Sequence, residues 1–485
     1  MNTIRANSVT NQSVQFQVLN EGQCREIVHA AFRVLERTGC DVHHERARKI
    51  LKDAGCSVDG IRVKIPTHLV EKAIRTAPSQ ITIYDREGNP TLHLGNNGKS
   101  YWSPGYENQY RIDRKTGEKR LTVKQDVYET GLVCDAMPNI DMCTGLAYIS
   151  DCDPRLADVY ETRLLLETTT KPIWLWQFDI ENLKAQMDMF AACAGGMDKF
   201  LAKPSVVAGG AASTPLCHAE DTLEKVMYMN EIGIPTPYVV ACLLGGTTPV
   251  TIAGSYVLGL ADTLFGLVLG QLINEGCPYL GCTWTDMFDM STMALSMTGP
   301  EASLGAAGSA DLFRYLDLPF VVHLGCTDSP ILDEQAALDM GTQILMGTLS
   351  GGNICQFLGF LEAAMSSSLE SLVFCNEAID YARSIVGGIE VSAETLAEDA
   401  IHNVGPSGNF LGEEHTLNHF KERWTPKNCV RTTYEKWAEN GKKDFKARAV
   451  EKVDQIVAAG IRKPLAPEVL AELDAIIAKA EARIK

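Results

Sequence analysis

Several features are missing from this 485-residue chain, and each absence removes a class of function. No Cys-x-x-Cys pair occurs among its 15 cysteines, so a zinc ribbon or a thioredoxin-like redox site has no anchor. No Gly-x-Gly-x-x-Gly follows a first strand and no Gly-x-x-x-x-Gly-Lys-Ser/Thr occurs, which removes nucleotide binding through those phosphate cradles. No uninterrupted apolar tract reaches the roughly 18 residues of a membrane span. The opening MNTIRANSVTNQSVQF has no basic region followed by an apolar core, so no signal peptide is expected and the cytoplasm is the expected location. Dense basic runs are missing before the C-terminal tail and the net charge is −17, which argues against nucleic acid as a partner.

What remains is the composition of a globular protein, with 45% hydrophobic and 22% charged residues, enough for one large core. Several cysteines, among them Cys242, Cys282 and Cys355, stand inside apolar runs. They read as reduced core residues that behave as small hydrophobes.

Six times between residues 172 and 360 an apolar run, usually led by proline, ends abruptly in glycine and small polar or reactive residues. The runs start at Pro172, Pro204, Pro237, Pro278, Pro319 and Asn353, with spacings of 32, 33, 41, 41 and 34 residues. Such spacing fits one strand, one helix and two loops. With Met142–Ile149 as a seventh strand, the pattern predicts an α/β fold, a (β/α)8 TIM barrel. The eighth strand falls either near Val404–Leu411 or among the early strands; periodicity leaves both open, and an open doubly wound sheet is the alternative architecture.

Residues 1–125 are expected to form an α+β extension, 126–429 the barrel and 430–485 a helical tail. Within the extension, residues 20–58 read as helix with a stop at Gly39, Ile81–Tyr84 and Thr91–Leu94 as a hairpin, and Tyr110–Asp113 as a strand turning at Lys115–Gly117. The tail is charged and broken at Gly460 and Pro464, a pattern that usually marks a solvated face. A large barrel with long extensions is compatible with a homo-oligomer.

In parallel α/β folds the chemistry sits where strands end. The run ends bring forward Trp174, Trp176 and Gln177, then Trp284, and then His323, Asp328, Gln356, Phe357 and Phe360. Alternation places Trp174 and Trp176 on one face; if that face points inward, the rings form an aromatic box for a quaternary ammonium group, and if outward, they pack on helices. The pairs Gly209–Gly210 and Gly245–Gly246 either admit a large ligand close to the backbone or simply turn the chain. His323 and Cys326 could serve as two ligands of a zinc ion only by recruiting Asp328 or Cys282; a hydrogen-bonding role for His323 and Asp328 competes with that reading.

The block Gly408–Gly412, His415-Thr-Leu-Asn-His-Phe420, Trp424-Thr-Pro426, Arg431 and Tyr434–Trp437 resembles the closing signature of the trimethylamine methyltransferase family. Val34–Gly39, Ile65-Pro66, Asp113–Gly117, Asp126 and Asp135–Ile140 are similar to that family in order and spacing. The resemblance implies a (β/α)8 barrel that moves a methyl group from a methylamine to the cobalt of a corrinoid (cobalamin) presented by a separate protein, with no metal bound directly to this chain. Founding members carry pyrrolysine in the barrel, whereas this chain has only the twenty standard residues, and the loop Gly325–Ser329 stands nearest to its expected place. That departure points to the branch resembling glycine betaine methyltransferases, with a quaternary amine such as glycine betaine, proline betaine or carnitine as substrate. Under this reading His323, Asp328 and Gln356 do the chemistry. Tyr101, Tyr106, Trp174, Trp176, Gln177, Trp284, Phe357 and Phe360 hold the amine, and Gly209, Gly210, Gly245 and Gly246 admit the corrinoid. The alternatives are a zinc-dependent barrel methyltransferase and a non-catalytic betaine-binding component of a methyl-transfer complex.

Overall fold

The computed structural model describes residues 4–5, 15–106 and 108–484. The opening segment, expected to carry no leader, lies mostly outside the described residues.

Each apolar run becomes a short buried strand: Ile173–Leu175, Val206–Ala208, Thr236–Val239, Tyr279–Cys282, Phe320–His323 and Ile354–Leu358. Four of the five leading prolines stand just before their strand, where the missing N–H costs no ladder bond. The strands are buried along their whole length, because helices cover a parallel sheet and continuous apolar runs replace alternation. Helices Ile180–Ala194, Glu220–Ile232 and Glu334–Ser350 end in left-handed Gly195, Gly233 and Gly351; the last two let the chain reverse into the next strand, and the first leads into the short helix Met197–Ala202.

Six strands pair in the order Gly210–Ala211, Thr236–Val239, Tyr279–Cys282, Phe320–His323, Ile354–Leu358, Tyr101–Pro104, all parallel. Ile173–Leu175 pairs in parallel with Val206–Ala208, whose continuation begins that set. Between the two ends lies the irregular stretch 141–144. Asp141 and Met142 donate their N–H groups to the Trp102 carbonyl at 2.7 and 3.2 Å, while Cys143 exchanges main-chain bonds with Pro172 and Trp174.

Tyr101–Pro104 thus pairs as one of the parallel strands. Of the two places left open for a further strand, this early one pairs with the parallel set. Val404–Leu411 instead leaves the end of a short helix, Glu398–Val404, and turns in solvent. Within residues 20–58 the helical run stops at Gly39, as expected. Gly39, at φ +71°, breaks it, since a Cβ there would sit 2.2 Å from the Val63 carbonyl oxygen. Strand Cys40–Val42 follows, pairing with Arg62–Lys64 and, in parallel, with Cys217–His218. The hairpins Ile81–Tyr84 with Pro90–Leu94 and Tyr110–Ile112 with Lys119–Leu121 form as the turn residues predict.

Among the described residues, helix Ile252–Ile273 alone is long and apolar enough by composition to cross a membrane. Here it is a core helix on which Glu21–Arg33, Glu45–Asp53 and Thr67–Thr76 pack. Cys242, Cys282 and Cys355 are buried, and burial pushes the Cys242 thiol up to about 12, so these are inert core residues.

Candidate active site

Strand register decides which run-end residues meet. His323 pairs with Gln356, and Gln356 with Ser103, so these three share one face of neighbouring strands. Trp284 opens the strand Trp284–Asp289 and sets its ring edge-on to His323, with centroids 5.4 Å apart. Asp286, two residues on, shares that face and brings Oδ1 to 2.6 Å from His323 Nε2. The contact lies off the line of a hydrogen bond. Sequence reasoning missed Asp286, although its period-two relation to Trp284 was a usable signal.

Simple alternation would send Phe357 to the face opposite Gln356. A bulge prevents this: Gln356 opposes Ser103 and Leu358 opposes Pro104, leaving Phe357 as an extra residue at φ +104°. Its ring consequently lies 5.3 Å from His323, 4.9 Å from Trp284 and 5.2 Å from Phe360. Phe360 is fixed in turn by Gly105, where a Cβ would come within 2.2 Å of its ring. The Phe357 backbone costs on the order of 1–3 kcal/mol and persists because the surrounding packing over-determines it.

Buried polar atoms without partners mark the same place. Gln356 is fully buried, yet neither its Oε1 nor its Nε2 has a hydrogen-bond partner among the described residues, and Trp284 Nε1 is likewise unmatched. Leaving a buried polar group without a partner costs about 1–3 kcal/mol, so these atoms stand ready for a polar partner. The cluster offers aromatic faces, an amide, an indole N–H and the Asp286 carboxylate.

The remaining sequence candidates fall elsewhere. Trp174 is buried and stacks on Tyr106 at 5.9 Å, a second aromatic pair that adjoins Phe360 through Gly105. Trp176 lies past the end of its strand; its Nε1 donates to Glu161 on helix Ala157–Thr168 at 2.8 Å, so it faces helix. Gln177 donates to the Leu175 carbonyl. Tyr101 stands at the opposite, N-terminal end of its strand, where its hydroxyl accepts from the His93 N–H at 3.1 Å, a hairpin contact and not a substrate contact.

Asp328 is a loop tie. It accepts from Ser296 Oγ at 2.7 Å, Thr298 Oγ1 at 2.9 Å and the Met297 N–H at 3.0 Å, which leaves little of its carboxylate for substrate. Gly209 and Gly210 do not face open space: a Cβ would strike the Pro237 carbonyl in one case and Thr222 and Val226 of a covering helix in the other. Gly245 and Gly246 form an exposed turn, Gly245 at φ +79°. The zinc reading has no support either. Cys326 is buried with its thiol pushed well up by burial. Among the described residues, three ligand atoms converge at Glu394, His415 and His419 and not at His323 and Cys326.

The parallel strands of this α/β fold bring their ends to one aromatic and polar cluster, the kind of place where such folds bind ligands. The family described as trimethylamine methyltransferase (MTTB) matches this chain over residues 1–485. Trimethylamine methyltransferase MttB of Desulfitobacterium hafniense (strain DSM 10664 / DCB-2) is 32% identical over 454 residues, covering 93% of this chain and 91% of that protein. MttB of Methanosarcina thermophila is 30% identical over 471 residues, covering 95% and 97%. Glycine betaine methyltransferase of D. hafniense (strain Y51) is 28% identical over 468 residues, covering 96% and 97%. The crystal structure of the Methanosarcina barkeri monomethylamine methyltransferase MtmB is similar in fold, with a TM-score of 0.52 at 13% identity over 96% of this chain and 88% of that one. The chain belongs to the trimethylamine methyltransferase family and is a methyltransferase.

Proposed function

We propose that this chain closes its parallel strands into a (β/α)8 barrel and uses the strand-end cluster to transfer a methyl group from a quaternary amine to the Co(I) corrinoid of a partner protein. One observation carries the choice of substrate. A bulge at strained Phe357 brings rings around a position beside an unpartnered Gln356, in a chain whose twenty standard residues include no pyrrolysine to activate a tertiary amine.

The chemistry separates the two substrate classes. In the transfer a carbon–cobalt bond forms with the electron pair of Co(I), and the N–C bond breaks with its pair left on nitrogen. A quaternary nitrogen leaves as a neutral tertiary amine and needs no proton. A tertiary amine would leave as an amide anion unless first activated. The protein's tasks are therefore to orient the methyl group in line and to exclude water. The rings of Trp284, Phe357 and Phe360 supply cation–π attraction, worth about 2 kcal/mol when desolvated, and Asp286 adds negative charge next to His323. Gln356 and Trp284 Nε1 offer donors for a betaine carboxylate. The two glycine pairs are not assigned to the corrinoid, since packing and a turn already account for them.

Purified protein, a reduced corrinoid protein and a panel of betaines, carnitine and trimethylamine test the reading. Demethylated product from at least one quaternary amine, with methylation of the corrinoid seen in its absorption spectrum, is the expected result. Turnover of trimethylamine alone would overturn the substrate class, and binding without turnover of any compound would favour a non-catalytic betaine-binding component.

A further inference from the structure

The motif His415-Thr-Leu-Asn-His419 plays no part in the strand-end site. We propose that Glu394, His415 and His419 form a binding site for a divalent transition-metal ion of the zinc class. The two histidines are four apart on helix Glu414–His419, so their rings stand on one face with centroids 4.4 Å apart. Glu394, on helix Ala393–Leu396, places its carboxylate so that one ligand atom from each residue lies within 4.8 Å of the others. His419 Nε2 is 3.1 Å from Glu394 Oε1, while its Nδ1 faces Glu422 Oε2 at 2.9 Å. A carboxylate behind one ring nitrogen fixes the tautomer that leaves the other nitrogen free for a metal. Two imidazoles, one carboxylate and an open fourth position make up a zinc-type donor set without thiols.

A second observation points the same way. The four helices between Ala393 and Glu439 bury no residue, and the two that carry the ligands have 4 and 6 residues. Helices that short are not stable by themselves in water. A segment without a core of its own needs a staple, and a metal joining Glu394 to His415 and His419 would be one. This inference stands apart from the methyl-transfer reading.

Full-length protein is stripped with chelator, dialysed against zinc, and assayed by atomic emission; cobalt(II) replaces zinc for visible spectroscopy. The expected uptake is about one equivalent, with a cobalt spectrum free of thiolate charge transfer. It should be lost in the His415→Asn/His419→Gln double variant and kept in Cys326→Ser. Glu422→Gln, which leaves all three ligands in place, should retain the equivalent but bind about ten- to a hundredfold more weakly. Circular dichroism confirms folding of each variant. No uptake by the unaltered protein, uptake that survives the double variant, or a thiolate band from cysteine-bound cobalt each overturns the site.

Discussion

Phe357 holds a φ of +104° that glycine would adopt freely, and it does so where a plain strand would need no bulge. Strain and ring can be separated by substitution. Phe357→Gly releases the strain while removing the ring, so its loss of stability should fall below the roughly 3–5 kcal/mol typical of truncating a buried phenylalanine. Affinity for a betaine should still fall about tenfold or more through the lost cation–π contact. Denaturant unfolding and titration calorimetry read the two effects, and an unchanged affinity would remove Phe357 from the box. Gln356→Leu makes a sharper demand. Replacing an unpartnered buried amide by an apolar side chain of similar size should leave the free protein as stable or more so, by up to ~1 kcal/mol, while kcat/KM falls at least about tenfold. A destabilised variant with full turnover would mean that the amide serves packing alone.

At the level of elements, the strand ends were legible because continuous apolar runs closed by glycine leave few other folds open. The exact facing of side chains was not. Trp176 and Trp174 share a parity, but the strand stops at Leu175, so Trp176 follows local geometry toward Glu161. The bulge at Phe357 breaks the same rule in the other direction, and no local composition announces it. The core helix Ile252–Ile273 gives a separate test, because it carries Asp262 where apolar neighbours bury it. Burial pushes this carboxyl up to about 7, and pushes His218, stacked on Phe265, down to about 3. A raised carboxyl binds its proton more tightly folded than unfolded. The stability it contributes is therefore full below the unfolded pKa of about 4 and is lost as pH rises toward the folded value. His218 acts in the opposite sense: its contribution is present above its unfolded pKa of about 6.5 and fades as pH falls. Asp262→Asn deletes the first term, together with the carboxyl 3.8 Å from His218 Nε2. Relative to the unaltered protein it should gain stability between pH 4 and 8, on the order of a few kcal/mol at most. Parallel stability–pH curves for the two proteins would show that Asp262 ionises without penalty.

For the whole molecule, the charged tail is where composition misled most. A charge run with two breaks reads as a solvated appendage, yet its helices Phe445–Ala459 and Pro467–Ile484 bury Ala449, Val453, Ile456, Leu473, Ile477 and Ala480. The apolar stripe is diluted by charges that themselves reach across the fold. Arg114 bonds Asp454 at 2.8 Å, Lys463 bonds Glu87 at 2.6 Å, and Arg483 bonds Asp179 at 3.1 Å. The last helix lies on Ile180–Ala194, which follows the strand of Trp174, so the tail braces an element next to the site. Exposed pairs of this kind add little, about 0–1 kcal/mol each, and the apolar contacts should dominate. Leu473→Ala, at a fully buried position, is accordingly expected to cost about 2–5 kcal/mol. Lys463→Gln should cost under about 1 kcal/mol. Because the tail packs on the covering helices, the loss should appear as a shift of the whole unfolding transition and not as an early separate step. An early step confined to the Leu473→Ala variant, with the main transition unmoved, would show a tail that folds on its own and merely rests against the rest.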